Sequence, residues 1–166
     1  MNQPNPIAPN PPGGCFDGKK HLYAVRVYYE DTDLSGITYH ANYLRWFERA
    51  RSDLLRMLKI DQRAAIEAGA DDPAAGGAYA VAEINLKYLR PAKLDDDVVI
   101  ETRCTELGAA SCRMVQRAIR DFGTDVQEIL AEASLRVGFI ALNGRPKRQP
   151  AEWIAAFETV LEKEAS

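Results

Sequence analysis

The stretch YYEDTDLSGITYHANYLRWFERAR, residues 28–51, joins an acidic segment to an amphipathic pattern. Three acids, Glu30, Asp31 and Asp33, lie within four positions, and His40 follows seven positions after the last of them. Like charges placed side by side cost free energy unless a site uses them. This segment is therefore the first place to look for a functional site.

A long amphipathic helix is predicted directly after this segment, at about residues 42–59. Charged side chains recur at helical spacing along one face, and aromatic and aliphatic side chains occupy the opposite arc. Arg51 is the exception, because it falls within the apolar arc. Two interpretations remain open: either an acid, Glu48 or Glu30, pairs with the guanidinium, or the side chain reaches solvent at the helix margin.

Strands are predicted on both sides of this helix. One precedes it, at about residues 21–30, and four follow, at about residues 78–90, 98–106, 111–121 and 128–141. Tight turns between the later strands indicate antiparallel neighbours. A last amphipathic helix follows Pro150. The predicted fold class is α+β, with a five-stranded antiparallel sheet wrapped around the central long helix.

The chain of 166 residues has the length of one ordinary domain. The first segment holds five prolines before residue 13 and little that joins a core, so we expect a disordered, proline-rich tail at residues 1–20 and a single domain at residues 21–166.

The charge balance and the cysteine count limit the possible partners and location. A net charge of −3 argues against a nucleic-acid partner, because phosphate binding needs a basic surface. No apolar run approaches the roughly 20 residues of a transmembrane helix. Three cysteines provide no disulfide framework, which fits a cytoplasmic location.

Two non-catalytic interpretations of the acidic segment are considered first. The spacing of Asp31, Asp33, Ser35 and Gly36 imitates the start of a calcium-binding EF-hand loop, but the twelfth position is Asn42 rather than the required glutamate, so the motif is incomplete. A transition-metal site built from the two aspartates and His40 lacks a clear further ligand, so no metal is expected. Alternatively, the acids are solvated or cap the chain at a strand end.

The catalytic interpretation uses the start of the predicted helix. Its first backbone N–H groups have no intrahelical acceptor and point along the positive end of the helix dipole, which suits a carbonyl oxygen that becomes anionic. Asp33, one loop upstream, can act as a nucleophile or as a base that activates water. Gly36 lets the backbone come close to a substrate. This combination suits an activated acyl group, such as a thioester, better than an amide.

These residues carry a resemblance to a known family. Val27-Tyr28-Tyr29-Glu30-Asp31-Thr32-Asp33, Gly36, Tyr39-His40, Asn42-Tyr43 and Phe47-Glu48-Arg49-Ala50-Arg51 resemble the hot-dog-fold acyl-CoA thioesterases. The likeness is greatest to the YbgC type associated with the Tol–Pal system, whose relatives include 4-hydroxybenzoyl-CoA thioesterase. It continues through Tyr88-Leu89-Arg90-Pro91-Ala92-Lys93-Leu94-Asp95-Asp96 and covers about residues 22–158.

The resemblance implies a set of roles. The family's catalytic aspartate falls on Asp33, and the helix N-terminal amide that polarises the thioester carbonyl falls at His40. Tyr29 and His40 match positions that line the site and orient the acyl group, and Gly36 and Tyr39 belong to the same matching block. Basic residues near the phosphates of coenzyme A correspond to Arg90 and Lys93.

The resemblance also implies partners. The substrate would be an acyl-CoA or an acyl-carrier-protein thioester, with coenzyme A as part of the substrate and no separate cofactor. A homo-oligomer, a dimer or a tetramer, is implied, and so is a link to the Tol–Pal envelope system. Two alternatives remain: a hot-dog hydratase or dehydratase, and a non-catalytic acyl-thioester-binding or envelope interaction protein.

Overall fold

The computed structural model describes residues 9–162 and consists of one antiparallel sheet with three α-helices. In chain order the elements are β1 (Cys15–Asp17), β2 (Lys20–Arg26), a 3-10 turn (Tyr29–Asp31), α1 (Asn42–Met57), α2 (Gln62–Glu67), β3 (Ala78–Tyr88), β4 (Asp97–Leu107), β5 (Ser111–Arg120), β6 (Glu128–Ile140) and α3 (Ala151–Glu158). The sheet order is β1-β2-β4-β5-β6-β3, and every neighbouring pair is antiparallel. The predicted α+β hot-dog class is confirmed, with six strands in place of five.

The sixth strand, β1, comes from the segment that was predicted to be disordered. Phe16 pairs with His21 across a tight turn in which Gly18 has a φ of +58°, a conformation that favours glycine. The Gly14 N–H donates to the Asp53 carboxylate at 3.0 Å. The ordered structure therefore begins before the predicted boundary at residue 20, because Gly14 and Phe16 contact the domain despite the prolines that precede them. Residues 1–8 of the predicted tail lie outside the described residues.

The core lies between α1 and the concave face of the sheet. Trp46, Phe47, Ala50 and Leu54 share one face of α1 and are almost completely buried. They recur at the three- and four-residue spacing of an amphipathic helix. Alternate residues of the strands, such as those flanking the half-buried Val99 in β4, complete this core. The long helix inside a curved antiparallel sheet is the arrangement that the sequence predicted.

Arg51 takes a hydrogen-bond partner that was not predicted. Its guanidinium donates to Gln116 Oε1 at 2.8 Å, and the Gln116 amide donates in turn to the Phe47 carbonyl and to Thr102 Oγ1. Burial lowers the pKa of the guanidinium, and the charge of Glu48 partly offsets this effect. Arg51 is thus hydrogen-bonded to an amide, rather than to the carboxylate of Glu48 or Glu30, and it links α1 to β5.

A pair of truncations tests where the ordered domain begins. Residues 9–12 are exposed, whereas Gly14 and Phe16 contact the domain. We expect deletion of residues 1–12 to leave the melting temperature unchanged, because residues 9–12 are exposed and the sequence before them holds little that can join a core. Deletion of residues 1–18 should lower it by about 4–8 °C, since it removes the Gly14 bond and the Phe16 packing, about 2 kcal/mol together.

Differential scanning fluorimetry of the two truncated proteins beside the full chain provides the measurement. Equal melting temperatures for all three would contradict a contribution of β1 to stability.

None of the helices within residues 9–162 is both long enough and apolar enough to cross a membrane.

Candidate active site

The segment between the 3-10 turn and α1 folds back on itself as a small loop. Thr32 and Thr38 face each other across an antiparallel bridge, and the Asp33 N–H donates to the Ile37 carbonyl at 3.0 Å. The Gly36 N–H donates back to the Asp33 carbonyl, also at 3.0 Å. Gly36 has a φ of +77°, so the tight turn needs a residue that tolerates the left-handed region. This turn presents Asp33 at the tip of the loop.

The Asp33 carboxylate is exposed and oriented by a neighbour two residues away. Its Oδ1 accepts a hydrogen bond from the Ser35 N–H at 2.8 Å and a second, short one from Ser35 Oγ. These two bonds hold the pKa of Asp33 below its usual range, and the nearby His40 lowers it further. Asp33 is therefore ionised at neutral pH, with Oδ2 left available for chemistry.

His40 lies just before α1 within a group of aromatic rings. Its ring centroid is 4.4 Å from that of Tyr39 and 6.2 Å from that of Tyr88 on β3. The Tyr88 hydroxyl donates to the His40 carbonyl at 2.8 Å and so fixes the backbone at this point. Within residues 9–162, the backbone N–H groups of His40 and Ala41 donate to no protein acceptor. Donors of this kind at a helix N-terminus stabilise an oxyanion.

The three crowded acids have separate roles. Asp31 is buried, and its carboxylate accepts from the Tyr28 N–H at 2.8 Å and from the Asn42 side-chain amide at 2.6 Å. It therefore ties the acidic segment to the first residue of α1 and is structural. Glu30 is exposed on the 3-10 turn. The charges thus face different surroundings, which explains how they are tolerated so close together.

The remaining candidate residues lie at different distances from this centre. Tyr29 is on the 3-10 turn with 85% of its surface exposed. Lys93 is brought to the loop by a bridge between its backbone and that of Ile37. Arg90 lies beside β6, where its backbone N–H donates to the Leu130 carbonyl at 3.1 Å and its guanidinium pairs with Glu128 at 3.7 Å. The structure therefore groups Asp33, Gly36, Tyr39, His40 and Lys93 around one loop, with Tyr29 and Arg90 at its margins.

Two residues of this site were missed at the level of sequence. Ser35 holds the Asp33 carboxylate, and the Asp-x-Ser spacing is a signal for such a local turn. Tyr88 fixes the His40 carbonyl from a strand that lies 48 residues away in sequence. No local pattern marks that second contact, because it depends on where β3 lies in the sheet.

Comparison with known proteins identifies a family to which this chain is similar. The family model described as the thioesterase superfamily matches residues 35–126, which is more than half of the chain. The chain belongs to the thioesterase superfamily. The match covers the end of the Asp33 loop, all of α1, and β3 to β5.

Individual members of the thioesterase superfamily are similar to this chain over most of their length. An acyl-CoA thioesterase YbgC from Haemophilus influenzae is 37% identical over 136 residues, which cover 81% of this chain and 92% of that protein. An acyl-CoA thioester hydrolase YbgC from Escherichia coli is 34% identical over 137 residues, or 82% and 94% of the two chains. The resemblance to the YbgC type is thus confirmed.

A solved structure from the thioesterase superfamily has the same fold. The crystal structure of a probable thioesterase from Bartonella henselae superposes with a TM-score of 0.69 at 31% identity. The superposition covers 79% of this chain and 99% of that one. The hot-dog fold is therefore shared across nearly the whole of that molecule.

Proposed function

We propose that this protein hydrolyses acyl-CoA or acyl-carrier-protein thioesters to a free acid and a thiol, with Asp33 as the catalytic carboxylate. One observation carries the proposal: an ionised, exposed carboxylate, fixed by Ser35, stands on the loop that leads to the free backbone N–H groups at the start of α1. Membership of the thioesterase superfamily and the names of the YbgC relatives support the same reaction.

The start of α1 supplies the hydrogen-bond donors that polarise the thioester carbonyl. The thioester carbonyl oxygen accepts hydrogen bonds from the backbone N–H of His40 and its neighbour, and the bonds strengthen as the oxygen gains negative charge. The dipole of the sixteen-residue helix α1 acts in the same direction. Because thiolates leave readily, the site needs no strong acid to protonate the sulfur. The His40 and Tyr39 rings, together with Tyr29, orient the acyl group beside these donors.

Asp33 supplies the carboxylate, which acts by one of two routes. As a base, its carboxylate takes a proton from water while the water oxygen bonds to the carbonyl carbon, and the carbon–sulfur bond then breaks. As a nucleophile, it bonds to the carbonyl carbon, releases the thiolate and leaves an anhydride that water cleaves. Both routes give one acid and one thiol and consume one water, so neither requires a cofactor.

The thiol that each substrate releases allows a direct test. Purified protein is incubated with a panel of acyl-CoA and acyl-carrier-protein thioesters, and free thiol is measured with a colorimetric reagent. Hydrolysis liberates thiol, whereas a hot-dog hydratase consumes an enoyl thioester without liberating it. A non-catalytic binder does neither. Absence of thiol release across the whole panel would refute the proposed function.

Lys93 is proposed to contact the phosphates of coenzyme A, with Gly36 allowing the close approach of the ligand. Within residues 9–162 the Lys93 ammonium has no ion-pair partner, whereas Arg90 is engaged by Glu128. We expect Lys93→Ala to raise KM for acyl-CoA about threefold to fivefold with kcat unchanged, since one exposed charge is lost. Arg90→Ala should have a smaller effect.

Steady-state kinetics at low and at physiological salt measure this difference. The Lys93 effect should shrink as salt rises, because screening weakens exposed charge pairs. An unchanged KM for Lys93→Ala at low salt would exclude the contact, and a larger effect of Arg90→Ala would reverse the assignment.

A homo-oligomer is proposed from the open edge of the sheet. β3 is an edge strand with one side unpaired, and it carries the exposed apolar side chains Val81 and Ile84. Unprotected apolar edges favour pairing with another chain. We expect Ile84→Lys to shift the protein toward the monomer, because it places a charge on this edge. Multi-angle light scattering compares it with Val126→Lys, a change at an exposed apolar residue in the turn between β5 and β6. A wild-type monomer at micromolar concentration would contradict the oligomer.

A cytoplasmic location and a link to the Tol–Pal system complete the proposal. The link rests on the resemblance to the YbgC type, and three cysteines without a disulfide framework fit the location. Cell fractionation tests the location, and a deletion strain with an outer-membrane leakage assay tests the link.

A further inference from the structure

The last residue of β3, Tyr88, reaches across to the start of α1. Its ring packs edge-to-face against that of Tyr43, with 5.5 Å between the centroids, and edge-to-face against that of His40, at 6.2 Å. Tyr43 is almost completely buried on α1, and the Tyr88 backbone pairs with Ala131 on β6. These contacts hold the ring so that its hydroxyl lies 2.8 Å from the His40 carbonyl oxygen.

The His40 carbonyl is a group that α1 does not satisfy by itself. In a regular α-helix the Leu44 N–H would reach it, but this N–H donates to the Ala41 carbonyl instead, at 3.2 Å. Within residues 9–162 no backbone N–H donates to the His40 carbonyl, so its donor there is the Tyr88 hydroxyl. The tyrosine thus takes the place of a helix hydrogen bond at the point where the oxyanion donors lie.

Two consecutive peptide groups carry these donors. The first joins the Tyr39 carbonyl to the His40 N–H, and the Asn42 N–H donates to that carbonyl at 2.9 Å. The second joins the His40 carbonyl to the Ala41 N–H, and the Tyr88 hydroxyl donates to it. Because a peptide group is planar, fixing its oxygen also fixes the direction of its N–H. The local turn therefore orients the first donor, and Tyr88 orients the second.

A hydrogen bond to the oxygen of a peptide group also changes the N–H on its other side. Hydrogen bonds in a chain polarise one another, by about 10–30% per bond. The Tyr88 bond therefore makes the Ala41 N–H a stronger donor toward an oxygen that gains negative charge. Partial burial raises the pKa of the Tyr88 hydroxyl above its ordinary value, so the hydroxyl keeps its proton at neutral pH.

We infer that Tyr88 is a positioning residue for thioester hydrolysis: its hydroxyl aligns and polarises the Ala41 N–H and so strengthens the bond from this donor to the substrate oxygen. The inference rests on the proposed reaction at Asp33. A bond that strengthens as the oxygen gains charge lowers the barrier of the chemical step without tightening the binding of the substrate. Loss of the hydroxyl should therefore lower kcat and leave KM nearly unchanged.

Tyr88→Phe removes the hydroxyl and keeps the ring. We expect kcat to fall about threefold to tenfold, the range that one net hydrogen bond provides, while KM changes less than about twofold. The matched control is Tyr79→Phe, the same change at the other end of β3, about 30 Å away. It removes a hydroxyl bond to Gln149 Oε1, 2.7 Å long, and should leave kcat within about twofold. An unchanged kcat for Tyr88→Phe overturns the inference.

Two further measurements separate polarisation from a purely structural role. Replacement of Tyr88 by 3-fluorotyrosine makes the hydroxyl a stronger donor, so kcat should rise, by up to about twofold, below the pKa of the fluorophenol. Isotope-edited infrared spectroscopy follows the carbonyl stretch of carbon-13-labelled acyl-CoA bound to Asp33→Asn. Stronger donors lower this frequency, so adding Tyr88→Phe should raise it and adding Tyr79→Phe should not. A fall in kcat without either response leaves Tyr88 a structural role alone and overturns the inference.

The infrared measurement also distinguishes failure of this inference from failure of the proposed function. If the native protein binds a labelled thioester without hydrolysing it, the proposed function is refuted, and the frequencies in the native protein and in Tyr88→Phe decide the role of the tyrosine. A higher frequency in Tyr88→Phe supports that role. Equal frequencies in the two proteins overturn it, even where hydrolysis itself is confirmed.

Discussion

Asp33→Asn should reduce kcat for thioester hydrolysis by about 10²–10⁴-fold, the range expected when a catalytic carboxylate is removed. The amide neither attacks a carbonyl nor takes a proton from water. It keeps an oxygen that can accept the Ser35 N–H bond, which is 2.8 Å in the native loop. The loop and the binding of coenzyme A should therefore be preserved, and KM should change little. Pre-steady-state and steady-state kinetics with one acyl-CoA measure the loss.

The control for this variant is Glu30→Gln, the same chemical change on an exposed acid three residues earlier. We expect it to retain kcat within about threefold, because surface substitutions away from a site have small effects. Near-wild-type kcat for Asp33→Asn would show that Asp33 is not the catalytic carboxylate. Glu30, Asp31 and Glu48 would then be tested in its place.

The second large effect is expected in stability, from the buried pair of His21 and Asp53. His21 is completely buried on β2, and its Nε2 lies 2.7 Å from Asp53 Oδ2 on α1. The same oxygen accepts the Gly14 N–H. Burial lowers the pKa of His21, which favours the neutral ring despite the opposing effect of Asp53. This one carboxylate therefore joins β2, α1 and the start of β1.

Asp53→Ala should destabilise the protein by about 2–4 kcal/mol, because it leaves the buried His21 ring and the half-buried Gly14 N–H without their acceptor. For a domain of this size the melting temperature should fall by about 5–15 °C. Urea denaturation followed by circular dichroism measures the free energy of unfolding. The control is Arg56→Ala, which removes only an exposed ion-pair contact to Asp53 at 3.9 Å and should cost less than about 0.5 kcal/mol. Equal effects of the two variants would contradict this role for Asp53.

The helix and the main strands were predictable because their patterns are long. α1 was expected to begin at Asn42 and does so, and the strands after it follow the predicted order. In contrast, the β1 strand has three residues beside a proline-rich segment, too few for a periodic pattern to be recognised. Its pairing depends on contacts of Gly14 and Phe16 with distant residues, which composition does not reveal.

The candidate site also contains residues that the sequence indicated and contacts that it did not. Asp33, Gly36 and His40 lie close together in sequence, so local spacing and family resemblance both indicated them. For Arg51 the sequence left two interpretations open, an acid partner or a side chain that reaches solvent, and neither included an amide. The structure provides the amide of Gln116, which lies 65 residues away and already has other buried partners. Such a contact follows from the sheet register, which a single sequence does not specify.

The bonds that orient Asp33 come from Ser35, two residues away, and from Gly36 and Ile37 in the same turn. Five consecutive residues, 33–37, thus set the orientation of the carboxylate. Substitutions that loosen the core should then lower the amount of folded protein in a cell while each folded molecule keeps its turnover rate. The interior can therefore change during evolution without a change in the loop that carries the catalytic carboxylate.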